Sequence, residues 1–442
     1  MKTMFVLLLA ACAAATTPTL AADARKGVSI EGKLNCPVIS TEGGRIYLHL
    51  VIHATPIASS MRRPMNLAVV LDRSGSMGDQ GKMEYARKAL NSLIDQLREG
   101  DIFSLVIYDD VVEVLHRAQR VGSTERLKGL VERVSPRGST NLGGGMVEGF
   151  RQVERHAGRE FANRVILLSD GLANQGVTDP HELNRIARRY RGKSISLTTI
   201  GMGLDYNENL MVGLSESGGG SYYFIENPRT LASIMREEFN QLSTVVAQNA
   251  TIELLPGQGV RLIDVIGYEH KAEGDRLVIP IGDLASGDRQ ELTVEVDIPE
   301  GSGSITAVRG TLRYEGKGLF ESFPSFAATV RYSGDVTVIE KNRDNEVQAK
   351  ADIARSTRNV EQAMHAMDRG DMDEAAGELK AAETMIATSI ANAPAGAGAE
   401  FLLQQRSRLE QYQHILKDSV NDARRAKKAI QYENYRMLRN KQ

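Results

Sequence analysis

An aspartate and two serines alternate in Asp72-Arg73-Ser74-Gly75-Ser76, directly after an apolar run over residues 66–71. Alternate residues of such a turn direct one carboxylate and two hydroxyls to a common point, and Gly75 leaves the backbone room to bend between the serines. Two further segments carry matching chemistry. Arg137-Gly138-Ser139-Thr140-Asn141 offers a hydroxyl at Thr140 before a helix, and Ile166-Leu167-Leu168-Ser169-Asp170-Gly171 closes an apolar run with a carboxylate. Each falls where a parallel sheet presents its carboxyl edge, the place where open α/β folds hold ligands. Oxygen donors converging from three turns suit a hard divalent cation. Asp72, Ser74, Ser76, Thr140 and Asp170 are therefore the candidate metal-binding residues.

Those turns need a sheet beneath them. From residue 66 to about 246 short apolar runs alternate with amphipathic stretches, the pattern of a parallel sheet covered on both faces. Strands are expected at 66–71, 102–108, 111–115, 164–168, 194–200 and 221–225. The first intervening helix places Met83, Ala86, Leu90, Leu93 and Leu97 at spacings of three and four, one apolar face toward the sheet. Asp179-Pro180-His181-Glu182 supplies an N-cap and a first-turn proline, and Asn227-Pro228 opens the last helix, to about residue 244, in the same style.

The flanks differ. Residues 28–53 and 250–332 show strand-length alternation with Gly, Asp and Ser turns, as in half-buried antiparallel strands. The first piece is too short to form a stable sheet alone, so it is expected to pair with the second, with the α/β unit inserted between them. After Gly334 the composition turns helical, over 345 to about 392 and 400 to about 439, joined by the breaker-rich Ala393-Pro394-Ala395-Gly396-Ala397-Gly398. Gly370-Asp371 within the first stretch reads as a simple helix turn rather than as one half of a helical repeat. The expected plan is a leader over 1–21, sandwich parts over 22–64 and 247–335, the α/β unit over 65–246 and a helical tail over 340–442. The fold class is α/β, a doubly wound, mostly parallel sheet inserted in a β-sandwich with a C-terminal helical region.

With its D-x-S-x-S string, its Thr and its Asp on successive strand-edge turns, the segment from about 65 to 246 resembles a von Willebrand factor type A domain bearing a metal-ion-dependent adhesion site. All five positions of that set match. The resemblance implies a Rossmann-like fold and a Mg2+ ion, with Mn2+ or Ca2+ as alternatives. It also implies that Ser74 and Ser76 bind the metal directly, Thr140 in a state-dependent way, and Asp72 and Asp170 largely through water. Neutral direct ligands leave such a cation electron-poor. An octahedral site with oxygens at ~2.1 Å then keeps one vertex for a carboxylate from a partner's Asp or Glu. In some members the last helix of the domain shifts on ligation, which here would act on the following β region. The wider layout is similar to bacterial secreted proteins named as relatives of calcium-activated chloride channel proteins, a name that implies no conduction here.

Enzyme chemistries fit less well. Phosphohydrolases of the haloacid dehalogenase type also place an Asp after the first strand, but their second Asp two residues on is here Ser74, which cannot shuttle a proton near neutral pH. Ser74 and Ser76 likewise replace the acidic positions of a D-x-[DN]-x-[DN]-G calcium loop. His181-Glu182 is not followed by the second His of H-E-x-x-H, no lysine follows Gly143-Gly144-Gly145 as a phosphate loop requires, and the eight His lack ligand spacing. Asp109-Asp110 reads as a strand-end turn rather than a second ion site.

Composition agrees. The 442 residues carry 54 basic and 56 acidic side chains, a formal charge of -2, which argues against nucleic acid as partner. No Trp and 5% aromatics leave little for base or sugar stacking. The first residues, with one Lys, an apolar run and a small-residue step before Ala22, read as a secretory signal, placing the protein in the periplasm or outside the cell. Leu9-Ala10-Ala11-Cys12 offers an alternative, lipidation at Cys12 and an envelope anchor. Removal of the leader leaves Cys36 as the sole thiol, expected to be buried in packing. Residues 384–399 lack charge but are too rich in Pro, Gly and small residues for a membrane span. The segment 404–442 carries ten basic and four acidic side chains. That balance makes a helix-borne attachment to anionic lipid or cell-wall polymer an alternative role.

Overall fold

The computed structural model describes residues 27–56, 62–316, 323–393, 397–418 and 423–439. The expected leader, Cys12 and the Pro394-Ala395-Gly396 breaker lie outside them. The chain opens with β1 (Val28–Leu34), β2 (Val38–Ser40) and β3 (Gly44–Ala54), then enters the α/β unit. There the order is β4 (Met65–Asp72), α1 (Lys82–Ile94), β5 (Ile102–Tyr108), β6 (Val112–Arg120), α2 (Thr124–Val131), α3 (Leu142–Glu154), β7 (Ala162–Ser169), α4 (Pro180–Arg191), β8 (Ser196–Met202), α5 (Glu208–Gly218), β9 (Gly219–Ile225) and α6 (Leu231–Ser243). The sheet runs β6-β5-β4-β7-β8-β9, parallel throughout except where β6 pairs antiparallel with β5 at one edge.

Central strand β4 is buried at every position, because pleating sends Leu67, Val69 and Leu71 to one face and Ala68 and Val70 to the other. The first set shares a core with Leu90 and Leu93 of α1 and Met235 and Phe239 of α6. The second meets Met146 and Phe150 of α3 and Leu210 and Leu214 of α5. Helix starts follow local capping chemistry: Asp179 accepts the Glu182 amide at the head of α4. Asn227 instead caps a 3₁₀ turn over Pro228–Thr230, so the helix expected from residue 228 becomes regular only at α6.

The chain then continues directly into β10 (Val245–Pro256), β11 (Arg261–Val265), β12 (Lys271–Glu273), β13 (Arg276–Ala285), β14 (Arg289–Ile298), β15 (Ser304–Glu315) and β16 (Ser325–Ser333). One sheet is β1-β3-β14-β11 and the other β12-β13-β10-β15-β16-β2. Pairing of β3 with β14 sets Leu50 opposite Leu292 and Leu48 opposite Val294. These side chains share a core with Ile252, Ile279, Leu312 and Val330 of the other sheet and with buried Cys36, so the two flanks form one sandwich around the inserted unit. The entry and exit of the insert touch, the Arg63 amide donating to the Ser243 carbonyl at 3.2 Å.

The tail comprises α7 (Val336–Lys341), α8 (Asn345–Asp368), α9 (Met372–Asn392), α10 (Ala397–Asp418) and α11 (Ala423–Leu438). The helical stretch expected over 345 to 392 turns at Gly370-Asp371, where Gly370 with a φ of +79° ends α8 and Asp371 caps α9 by accepting the Glu374 amide. Lys350 of α8 pairs with Glu291 at 3.0 Å, laying the tail on the sandwich. Helix α11 returns to the α/β unit, where it packs on edge strand β9 and shields it from pairing with other chains. Of the basic side chains counted over 404–442, Lys427 and Lys428 turn inward onto Glu208 and Arg439 onto Glu216, while Arg424 meets Asp205 and Arg425 meets Glu226 at the exposed surface. No helix among the described residues is long and apolar enough to cross a membrane.

Candidate metal centre

The three turns meet at the carboxyl edge of β4 and β7. Asp72, the last residue of β4, is fully buried; its Oδ1 accepts the Ser74 amide and its Oδ2 the Ser169 hydroxyl, each at 2.8 Å. Burial pushes the Asp72 carboxyl up to about 6, against the hydrogen bonds from Ser74 and Ser169, while nearby Asp170 adds to the rise. The hydroxyls of Ser74 and Ser76 stand 3.2 Å apart, and that of Ser76 donates to Asp170 Oδ1 at 2.8 Å. Thr140 enters from the turn before α3. Its amide donates to Asn174 Oδ1 at 2.9 Å and its carbonyl accepts the Asn174 amide at 3.1 Å, locking its turn to the one that carries Asp170.

Gly171 marks the meeting point. A Cβ there would stand 3.3 Å from Thr140 Oγ1 and 3.7 Å from Ser76 Oγ, so the bare backbone leaves the hydroxyls a shared space. All five expected residues are thus gathered, four of them buried and Ser76 partly exposed. The donor set of two carboxylates and three hydroxyls, with no nitrogen or sulfur among the five, fits a hard dication. Among the described residues no group of three or more His, Cys, Asp or Glu is placed to hold a metal, so this site depends on its three hydroxyls beside two carboxylates.

Several supporting residues escape sequence reasoning. Asp109, at the end of β5, forms the expected turn by accepting the Val111 amide at 2.7 Å. Its Oδ2 also lies 2.8 Å from the Nε of both Arg73 and Arg137, which come from two of the site turns. Burial raises the Asp109 carboxyl, but Arg137, the Val111 amide and Arg73 outweigh it and hold it below the ordinary range. Backbone bonds follow the same path, Arg137 N donating to Arg73 O at 2.7 Å and Asn141 N to Asp109 O at 2.7 Å. Gly138 takes a φ of +70°, and a Cβ there would collide with Asp110 Oδ1. Lys82, the first residue of α1, places Nζ 2.6 Å from Asp170 Oδ2. A lysine at a helix N-terminus, where the macrodipole disfavours cations, was the one available signal.

A sequence profile of the von Willebrand factor type A domain matches residues 66–237. Among curated proteins, the chain is 26% identical over 253 residues to the uncharacterized protein YfbK of Escherichia coli strain K12, which covers 55% of this chain and 44% of that one. It is 28% identical over 264 residues to the uncharacterized protein sll0103 of Synechocystis, covering 59% and 57%. Inter-alpha-trypsin inhibitor heavy chain H1 of Sus scrofa is 26% identical over 223 residues, covering 48% and 24%. The chain spans about half the length of the two bacterial relatives. Among solved structures, a von Willebrand factor type A protein from Catenulispora acidiphila superposes with a TM-score of 0.71 at 18% identity, over 89% of this chain and 90% of that one. The ArnB paralog VWA2 from Sulfolobus acidocaldarius gives 0.61 at 19% identity, over 94% and 98%. These likenesses concern the fold and extend over sandwich and tail as well as the α/β unit.

Proposed function

Taking residues 66–237 as the von Willebrand factor type A domain they form, we propose that the chain is an extracytoplasmic protein-binding module, not an enzyme, that captures an acidic side chain of a partner at a divalent cation. The observation that carries this reading is the convergence of Ser74, Ser76 and Thr140 hydroxyls with the Asp72 and Asp170 carboxylates around Gly171. When bound, Mg2+ supplies a concentrated positive charge that a carboxylate can reach. Asp72 and Asp170 would provide the negative charge that retains such an ion, and the hydroxyls of Ser74, Ser76 and Thr140 would hold it without neutralising it. Burial of all but Ser76 excludes water from one side of the site. The absence of a second carboxylate at position 74 supports adhesion over phosphoester hydrolysis. The leader sequence supports an address outside the cytoplasm.

The test is calorimetric titration of the purified chain with Mn2+, followed by capture from envelope extracts with Mg2+ or with chelator. Binding and capture that are lost in Asp72→Ala support the proposal. Capture indifferent to both chelator and Asp72→Ala, or manganese-soaked crystals without an anomalous peak at these residues, would overturn it.

A second reading adds a switch, favoured by one cluster. Arg164 of β7 donates to Glu238 of α6 at 2.6 Å and to Asp283 of β13 at 2.9 Å, tying the last helix of the domain to the sandwich. A shift of α6 on ligation would have to move this buried cluster. Hydrogen exchange over 228–246 that is blind to metal plus ligand would remove the switch while leaving capture intact.

A further inference from the structure

Lys82 occupies a place that is unfavourable to a cation on two counts. It is 3% exposed, so its ammonium has lost most of its hydration, and it begins α1, where the helix dipole opposes positive charge. Asp170 offsets both, accepting from Lys82 Nζ at 2.6 Å through Oδ2 while Oδ1 takes the Ser76 hydroxyl. The fold makes room for this contact. A Cβ on Gly203, whose φ is +76°, would stand 3.3 Å from Lys82 Cε and 3.4 Å from Nζ, so the glycine after β8 leaves the ammonium its space.

We propose that Lys82 is a tethered counter-cation that sets the charge of the metal centre. This rests on the metal-dependent capture proposed above and adds a residue outside the five that gather there. Asp72 and Asp170 bring two formal negative charges, and Lys82 cancels one of them. Without metal, the ammonium keeps Asp170 paired and the Ser76 turn in place. With a dication, the centre carries one positive charge in excess, whereas the same centre lacking Lys82 would be neutral. Lys82 therefore weakens the hold on the metal and strengthens the hold of the loaded site on an anionic ligand. The two effects have opposite signs, which a merely structural lysine would not produce.

The experiment titrates Mn2+ into the full chain as wild type, Lys82→Met and Lys82→Arg, by calorimetry. Acetate is then titrated into each Mn2+-loaded protein, with water-proton relaxation as readout. The expected result is Mn2+ binding about tenfold or more tighter in Lys82→Met, acetate binding several-fold weaker, and both near wild type in Lys82→Arg. Metal-free Lys82→Met should also melt lower than wild type and recover with Mn2+. If Lys82→Met does not fold without metal, Lys82→Gln takes its place in the same titrations. Equal or weaker Mn2+ binding by a folded Lys82→Met or Lys82→Gln overturns the role of Lys82 while leaving the metal site standing. Folded wild type and variants that all fail to bind Mn2+ overturn the metal site itself, and this proposal with it.

Discussion

The hydroxyl of Tyr435 in α11 accepts the backbone amide of Tyr222 in β9 at 3.0 Å, and the two rings meet edge to face with centroids 5.6 Å apart. A side chain from the tail thus satisfies an edge-strand donor of the α/β sheet. Tyr435→Phe keeps the ring and leaves that amide without its partner, so the chain should lose about 1–2 kcal/mol of stability in urea denaturation. Tyr435→Ala also removes ring packing and should cost about 3 kcal/mol or more. Neither should change Mn2+ affinity at fixed folded concentration, because Tyr435 does not touch the site turns.

Asp109 joins two of the three turns through Arg73 and Arg137. Replacing it by Ala leaves the Arg73 guanidinium buried with Glu113, at 3.2 Å, as its remaining acid partner among the described residues. The expected loss is on the order of 3 kcal/mol in chemical denaturation. Mn2+ affinity should fall with it, since the Thr140 turn is then held against the Ser74 turn by backbone bonds alone, without the Arg73 and Arg137 side-chain link. Asp109→Asn retains an acceptor for the Val111 amide and should fall between Asp109→Ala and wild type on both measurements.

Gly171 offers a steric test that leaves charge untouched. Its φ lies outside the left-handed region, so Ala fits the backbone, but the added methyl would press on Thr140 Oγ1 from 3.3 Å. Gly171→Ala should weaken Mn2+ binding at least several-fold with little change in melting temperature, and Gly171→Val more so. Calorimetry beside circular dichroism separates the two effects.

Glu361 on α8 lines a cavity between tail, sandwich and α5 that also holds Glu216, Asp264, Glu269, Arg358, His365 and Asp368. Burial, with Glu216 next, pushes its carboxyl up to about 7 from an ordinary 4.5, Arg358 opposing and Asp264 adding to the rise. The folded state therefore holds this proton where the unfolded chain has released it. Its stabilising contribution is full below about pH 4.5 and is lost as pH rises through about 7. Glu361→Gln should gain stability relative to wild type across that window, on the order of 2 kcal/mol by its upper end. Melting temperatures of the pair against pH check the sign.

The sheet was readable because its strands are continuous apolar runs, and 66–71 is buried on both faces as such a run demands. Asp72, Ser74 and Ser76 were readable from their alternation, and Thr140 and Asp170 from their places after an Arg-Gly-Ser turn and an apolar strand. Lys82 was not: a charged residue at a helix start ordinarily lies in water, and what buries it includes the loop at Gly203, far along the chain. Asp109 was half readable. Its turn is local, but the arginines that it binds come from two other loops. The partners of the tail were unreadable for a related reason, since counting cations over 404–442 cannot reveal that Lys427, Lys428 and Arg439 meet acids at Glu208 and Glu216 in the α/β unit.

The contact between Arg63 and Ser243 has a consequence for the order in which the molecule assembles. Pairing β3 with β14 closes a chain segment of roughly 235 residues, an entropic charge on the order of 5 kcal/mol for a flexible connection. Once the insert has collapsed, its ends lie a hydrogen bond apart, and the connection that remains to be closed falls to roughly 55 residues. The central rungs of the sandwich therefore close at about 1 kcal/mol lower entropic cost once the α/β body has formed, and damage that slows its collapse delays a distant sheet whose own residues are intact.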